Sequence, residues 1–339
     1  MRNLRDEKEI LSNWKGDVNK PVVSICCTTY NHESYIAEAL KGFLIQETDF
    51  PFEILIHDDA STDRTASIIR EYEVKYPKLI KSIYQSENQF SKGKVVNNYN
   101  FRSAKGHYLA LCHGDDFWFD KEKLAKQVSV MKEYGASISG HPAKEVDVAN
   151  NELGRLTGLV VDQVSKFDAR ELIKNNGNML PFGSIMISNE SKQDMIANMP
   201  PVMFHSGIQM LGALRGGVVI LPDVMLAYRV DVPGSTTEIM LGDIDKKFST
   251  TFKRVASIKH LKKMYSKKYT SAFDSLLAKQ VLMFTRVSSV RLFFLVLNNV
   301  LKGERFASKL RIFYMVVMLG VRFKAVSFLK FIFRLTNSR

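Results

Sequence analysis

Hydrophobic and polar positions along the first third of the chain alternate between two periods. Leu79–Tyr84 and His107–Cys112 read as strands, and two further short runs, Val22–Thr28 (VVSICCT) and Phe52–His57 (FEILIH), are nearly continuous in apolar residues. Runs of that length and type predict strands buried on both faces. Asn31 and Ser34 stand where they cap a helix through about Leu44. Ser61, Thr62 and Asp63 precede a second helix, Arg64–Tyr76, that stops at Pro77. A polar loop, Gln85–Lys94, and a short helix separate the third and fourth strands, and Lys121–Tyr134 places Leu124, Val128 and Met131 on one helical side. Strands alternating with helices predict an α/β fold with a mostly parallel sheet covered on both faces. Such sheets bind ligands at the carboxyl ends of their strands.

Past Gly140 the pattern is less regular. It predicts a helix near Asp168–Lys174, a strand Gly183–Ile187, a helix Ile208–Leu214, then a Gly-Gly turn and a strand-like stretch to Arg229. After Asp245 the chain reads as helical. The expected organisation is a lead-in (residues 1–20), an α/β domain (21–240) whose regular first half (21–140) is followed by a less regular second half (141–240), and a helical region (241–339). Charge singles out the last part. The net charge is +13, yet Arg286–Arg339 alone holds eleven Lys/Arg against one acid, Glu304, so +10 of it lies there. The three cysteines, Cys26, Cys27 and Cys112, sit in apolar runs, which suits packing in a reducing compartment better than a disulfide framework. The charged start lacks the apolar core of a secretory signal, and no run reaches eighteen apolar residues.

Candidate chemistry gathers at predicted strand ends. Thr28-Thr29-Tyr30-Asn31 closes the first strand, Asp58-Asp59-Ala60-Ser61-Thr62-Asp63 the second, and His113-Gly114-Asp115-Asp116 the fourth. Alone, each is ordinarily a turn or a helix cap. Together at one sheet edge they suit a nucleotide diphosphate: a carboxylate for a base edge or ribose hydroxyl, and hard oxygen ligands for Mg²⁺ or Mn²⁺.

At these residues the sequence resembles the family 2 glycosyltransferases of GT-A fold, and especially the bacterial branch that builds surface polysaccharides. The resemblance runs through TTYNHESYIAEAL, FEILIHDDASTDRT, YQSENQFSKG, YLALCHGDDFWFDKEKLAKQ and RGGVVILPDVMLAYRVDVPGS, roughly residues 20 to 240. It implies that Thr28 and Tyr30 line the nucleotide base, that Asp58 reads the base edge and that Asp59 supports that loop. His113-Gly114-Asp115 stands at the family's Asp-x-Asp, so Asp115 is the expected metal ligand beside His113. Asp116 and Trp118 would complete the donor wall. Arg229 would steady the diphosphate or cap the sheet edge. The implied reaction is inverting transfer from a nucleotide-sugar, a UDP-sugar by preference, with direct attack of the acceptor hydroxyl on C1.

Two departures stand out. His113 replaces the first motif Asp, and imidazole suits Mn²⁺ better than Mg²⁺. In HSGIQM the family's Gly-Asp pair reads Ser206-Gly207, so the expected base is missing. His205 is the nearest replacement, against the alternative of a packing histidine. Asp223 and Asp231 are nearby acids at turns. The departures keep open a second reading, a glycosyltransferase-like binding or scaffold protein with weakened or lost catalysis.

The basic tail mixes LFFLVL, IFYMVVMLGV and VSFLKFIF with its cations, which suits contact with an anionic membrane surface. The alternative is a packed helical subdomain with a solvated basic face. Nucleic acid is not expected as a partner, because the tail is too rich in Phe, Leu and Val for a phosphate-binding arm. The expected setting is therefore cytoplasmic and peripheral at the inner face of the cell membrane, with a glycan or lipid-linked acceptor.

Overall fold

The computed structural model describes residues 4–198, 205–233, 244–282 and 290–318. After a short helix α1 (Glu7–Ser12) come β1 (Val23–Thr29), α2 (Ile36–Leu44), β2 (Phe52–Asp58), α3 (Thr65–Lys75), β3 (Ile80–Tyr84), α4 (Asn97–Ser103) and β4 (Tyr108–His113). The four strands are parallel neighbours in the order β3-β2-β1-β4. Every residue of β1 and β2 is buried, as their unbroken apolar runs require. α2 covers this block with Ile36, Ala39, Leu40, Phe43 and Leu44, one helical face at three- and four-residue spacing. The lead-in is pinned down as well. Ile10 joins the core, the Tyr76 hydroxyl donates to Arg5 O at 3.0 Å, and Arg5 Nη2 donates to Gln46 O at 2.8 Å.

The second half begins with β5 (Phe117–Trp118) and α5 (Lys123–Tyr134), whose buried Leu124, Val128 and Met131 are the stripe the periodicity predicts. Then follow β6 (Ile138–Gly140), β7 (Ala143–Val146), β8 (Glu152–Thr157), β9 (Ser165–Phe167), α6 (Ala169–Lys174), β10 (Met186–Ser188), α7 (Asn189–Asn198), α8 (His205–Ala213), β11 (Val218–Ile220) and β12 (Leu226–Arg229). The main sheet has eight strands, β3-β2-β1-β4-β10-β6-β11-β9, with β10 and β9 antiparallel to their neighbours. A second sheet, β5-β12-β7-β8, packs beside it.

Three local expectations change. The stretch before Arg229 is two strands in different sheets, because Pro222 cannot continue a ladder. The strand expected from Gly183 begins at Met186, after a 3₁₀ turn over Phe182–Ser184. Neither Asn31 nor Ser34 caps α2, whose first flanking residue is Tyr35 and makes no side-chain cap bond. Asn31 instead takes a left-handed φ of 55° and accepts Thr62 N–H at 2.8 Å.

The chain divides into two compact units, Met1–Lys247 and Phe248–Arg339. The helical expectation holds for α9 (Ile244–Leu282), broken at Tyr265, α10 (Val290–Leu301) and α11 (Phe306–Met318). In this second unit Lys262 Nζ donates to Asp274 Oδ1 at 2.6 Å and to Glu304, while Arg311 Nε donates to Asp274 Oδ2 at 2.8 Å. Among the described residues no helix is long and apolar enough to cross a membrane. The rest of the basic tail, from residue 319 on, lies outside the described residues. Cys26, Cys27 and Cys112 are free and buried.

Candidate active site

Parallel register brings the three polar clusters together. Thr29 pairs with Asp58 across β1–β2, and Thr28 pairs with His113 across β1–β4, so all three strands end at one edge. The loops beyond them are stitched to one another. Ser61 Oγ accepts Asn31 N–H at 2.9 Å, Thr65 Oγ1 accepts His32 N–H at 2.8 Å, and Asp63 Oδ2 accepts Glu33 N–H at 3.0 Å. Glu33 Oε2 returns a bond by accepting Arg64 N–H at 2.9 Å. Sequence reading missed this clasp, although Asn31, of a residue type enriched at positive φ among non-glycine residues, was the available signal.

Asp58 is buried, and Ser61 donates to its Oδ1 from both backbone and hydroxyl. Burial raises its pKa, and the Ser61 bonds oppose that rise. Thr28 is buried beside it, while Tyr30 is 42% exposed at the mouth. Asp59 has a different task. Its two oxygens accept Gln89 N–H at 2.8 Å and Phe90 N–H at 2.9 Å, and its carbonyl accepts Asn88 Nδ2 at 3.2 Å. The carboxylate thus caps the polar loop after β3. His57, buried and stacked on Tyr99 at 4.7 Å, holds the same loop through Gln85 at 3.1 Å.

The β4 turn is the tightest part of the edge. A Cβ on Gly114 would lie 2.5 Å from Thr29 Oγ1 and 2.8 Å from Thr29 Cβ, so only glycine fits. Ligand atoms of His113, Asp115 and Asp116 lie within 4.8 Å of one another. Asp115 Oδ1 is buried without a hydrogen-bond partner, and Oδ2 is 3.8 Å from His32 Nε2. Asp116 is buried, and its Oδ1 accepts Arg229 N–H at 2.9 Å. Burial, then the neighbouring Asp115, pushes the Asp116 carboxyl well above the usual range. Desolvation, then His32, lowers the His113 pKa, so its ring is neutral near pH 7 and has a lone pair to donate. Two carboxyls, one oxygen of them orphaned, and a neutral imidazole make a donor set that fits Mn²⁺ and is less suited to Mg²⁺. A cation beside Asp115 and Asp116 would remove the repulsion between them.

His205 belongs to the same cluster. Its ring stacks on Phe182 at 4.4 Å, Phe182 stacks on His113 at 4.0 Å, and the two histidine rings are 5.0 Å apart. The residue itself is exposed at the start of α8. Desolvation of the stacked ring, then His113, lowers its pKa, with Asp115 opposing. Phe182 carried no sequence signal. Its place is set by Gln209, whose Oε1 accepts Met179 N–H at 3.2 Å and Leu180 N–H at 3.1 Å and whose Nε2 donates to Leu180 O at 2.8 Å.

Arg229 and Trp118 are both inside. Trp118 is in the core, with Nε1 donating to Gly183 O at 2.8 Å and its ring 4.8 Å from Phe43. Arg229 Nη2 donates to Glu38 Oε2 at 2.7 Å and to Asn150 Oδ1, Nη1 donates to the Asp115 carbonyl, and the guanidinium lies 4.5 Å above the Tyr35 ring. Both terminal nitrogens are taken by protein groups while Nε is buried without a hydrogen-bond partner, so the side chain grips the Asp115-Asp116 turn from behind. Asp223 is paired with Lys126 Nζ at 2.9 Å, and Asp231 is exposed with φ 56°.

Comparison with known proteins bears on the family and the fold. The Mycobacterium tuberculosis protein Rv1520, itself uncharacterized, is 35% identical over 216 residues, covering 61% of this chain and 58% of that protein. Bacillus subtilis TuaG, a glycosyltransferase provisionally assigned to teichuronic acid biosynthesis, is 36% identical over 129 residues, covering 38% of this chain and 47% of TuaG. The chain thus spans less than two thirds of the length of these relatives. Among solved structures, Staphylococcus aureus TarS 1–349 in complex with UDP-GlcNAc superposes with a TM-score of 0.63 at 17% identity, over 86% of each chain. The shared architecture is the GT-A fold. Residues 24–194 match the family described as "Glycosyl transferase family 2", and the chain belongs to that glycosyltransferase family.

Proposed function

We propose that the chain is an inverting, metal-dependent glycosyltransferase of hexosyltransferase type. It moves a sugar from a nucleotide-sugar, by preference a UDP-sugar, to a glycan or lipid-linked acceptor at the inner face of the cell membrane. The setting is polysaccharide or lipopolysaccharide assembly. The observation that carries this reading is the convergence of Asp58, His113, Asp115 and Asp116 at one sheet edge, with Asp115 Oδ1 buried and unpaired. The UDP-GlcNAc held by TarS supports the donor class, and the assignment of TuaG supports a surface polysaccharide as product.

In this reading Thr28, Tyr30 and Asp58 hold the base and ribose, and Asp59 keeps the opposite wall closed over them. His113, Asp115 and Asp116 would hold the divalent cation, which would neutralise the diphosphate as leaving group. Trp118 and Arg229 support the metal-binding turn from the core side. The acceptor oxygen forms its bond to C1 as the C1–O bond to the diphosphate breaks. The electron pair leaves on the phosphate oxygen, and the hydroxyl proton passes to the neutral His205 ring.

The test is nucleotide release from a panel of UDP- and GDP-sugars with Mn²⁺ or Mg²⁺. Turnover with at least one donor is expected, and Asp115→Ala should weaken metal-dependent nucleotide binding about tenfold or more. No turnover with any donor, together with binding indifferent to that substitution, overturns the proposal. His113 and Gly207 favour the second reading, a binding or scaffold protein. Its signature is nucleotide binding without turnover that His205→Ala leaves unchanged.

A further inference from the structure

We infer that one face of α11 (Phe306–Met318) is a docking surface for an anionic lipid bilayer. Ser308, Ile312 and Val316 recur every four residues and are buried, at 4%, 0% and 1% exposure, so they form the inward stripe of the helix. Phe306, Leu310 and Tyr314 recur at the same spacing, two residues out of step, which carries them about 200° round to the opposite side. They are 76%, 53% and 62% exposed, although a solvated helix ordinarily presents polar residues there.

Charge selects the partner. The one acid after Arg286, Glu304, points inward to Lys262, and the buried Asp274 takes Lys262 and Arg311. The acids are therefore spent on internal pairs, while Lys302, Arg305 and Lys309 stand exposed around the apolar stripe. Residues 319–339 add five Lys/Arg and no acid. An aromatic-aliphatic stripe flanked only by cations matches a bilayer interface, where the rings and Leu310 enter the acyl boundary and the cations reach lipid phosphates. A second copy of this chain fits less well, because two-fold packing would bring like charges together. Nucleic acid would leave the exposed Phe306 and Leu310 without a role.

The inference rests on the proposed function only for its purpose, access to a lipid-linked acceptor, and its test reads lipid binding rather than turnover. The full chain is floated with vesicles of phosphatidylcholine alone or mixed with phosphatidylglycerol. Binding is expected only to the anionic vesicles and should weaken with salt. It should fall about tenfold or more in a Phe306→Ser/Leu310→Ser/Tyr314→Ser variant and in a Lys302→Glu/Arg305→Glu/Lys309→Glu variant, with helical circular dichroism unchanged. Failure to float with anionic vesicles overturns the inference. So does triple-serine flotation equal to wild type, or a face whose loss abolishes only self-association or DNA binding. Donor hydrolysis measured on the same samples separates the two proposals. Vesicle binding without turnover sinks the enzyme reading alone, and turnover without vesicle binding sinks this one alone.

Discussion

Arg229 is where the proposed donor site and core packing meet. Its backbone N–H holds Asp116, its Nη1 holds the Asp115 carbonyl, and its Nη2 reaches Glu38 on α2 and Asn150 in the β7–β8 turn. We read it as a positioning residue for the His113–Asp116 turn that is proposed to bind the metal. Arg229→Lys keeps the charge but loses the planar fork that serves three acceptors at once. The expected outcome is kcat lowered about tenfold to a hundredfold, since a slightly displaced carboxylate pair is costly to rate. The Mn²⁺ concentration for half-maximal rate should rise, while donor KM at saturating metal changes little. Steady-state kinetics across a Mn²⁺ titration checks this, and an unchanged metal dependence would refute the positioning role. Neither Glu38 nor Asn150 was legible as a partner of Arg229, because they lie 191 and 79 residues away in sequence.

At the scale of elements, α5 carries an unusual load on its inner face. Lys123 is fully buried, donates to Gln127 Oε1 at 2.6 Å and lies 3.9 Å over the Trp118 ring. Desolvation pushes its pKa down to about 7, against an opposing pull from Cys112 and Asp120. The linkage sign follows. Between the folded value and the ordinary value near 10.5, the unfolded chain binds the extra proton, so stability rises with pH. The cost of burying the ammonium is complete below about pH 7 and is relieved as pH climbs towards 10. Lys123→Met, of similar length, should therefore gain stability relative to wild type as pH falls from 10 to 7. At about 1.4 kcal/mol per pH unit, the relative gain is on the order of a few kcal/mol. Chemical denaturation at pH 7 and pH 9.5 reads it, and a difference independent of pH would sink the assignment. The amphipathic stripe of α5 was visible in the sequence. Its buried lysine was not, because a Lys at helical spacing reads as surface.

For the whole molecule, the chain divides at Lys247 into a sheet-based unit and a helical one that holds a buried polar cluster. In the helical unit, Asp274 is buried between Lys262 and Arg311, with N–O distances of 2.6 and 2.8 Å. Asp274→Ala leaves the buried Lys262 with Glu304 alone, and should cost about 3 kcal/mol of stability in that unit. Asp274→Asn should recover part of the loss through its remaining hydrogen bonds. Thermal melts followed by far-ultraviolet circular dichroism check the ranking, and an Ala variant as stable as wild type would contradict it.

Sequence alone determined the parallel β-α block and the polar clusters in which its strands end. Strands buried on both faces leave continuous apolar runs, and α5 leaves a repeating stripe, so Val22–Thr28, Phe52–His57, His107–Cys112 and Lys121–Tyr134 were legible within a residue or two. Strand ends with clustered acids, at Asp58-Asp59 and His113-Gly114-Asp115-Asp116, were legible because parallel strands share one carboxyl edge. The β7–β8 hairpin was not legible, since β8 is solvent-exposed almost throughout and short polar strands resemble loops. Only tertiary structure decided what the polar residues do. It turned Asn31 from a helix cap into a loop clasp and closed the Arg229 fork on protein groups. It also buried Trp118 in the core and brought His205 within 5.0 Å of His113 through a phenylalanine no pattern announced. The physical reason is common to all four. A hydrophobic period is a local property of the chain, whereas a hydrogen-bond or ring partner is chosen by whichever distant group packing carries within about 3 to 5 Å.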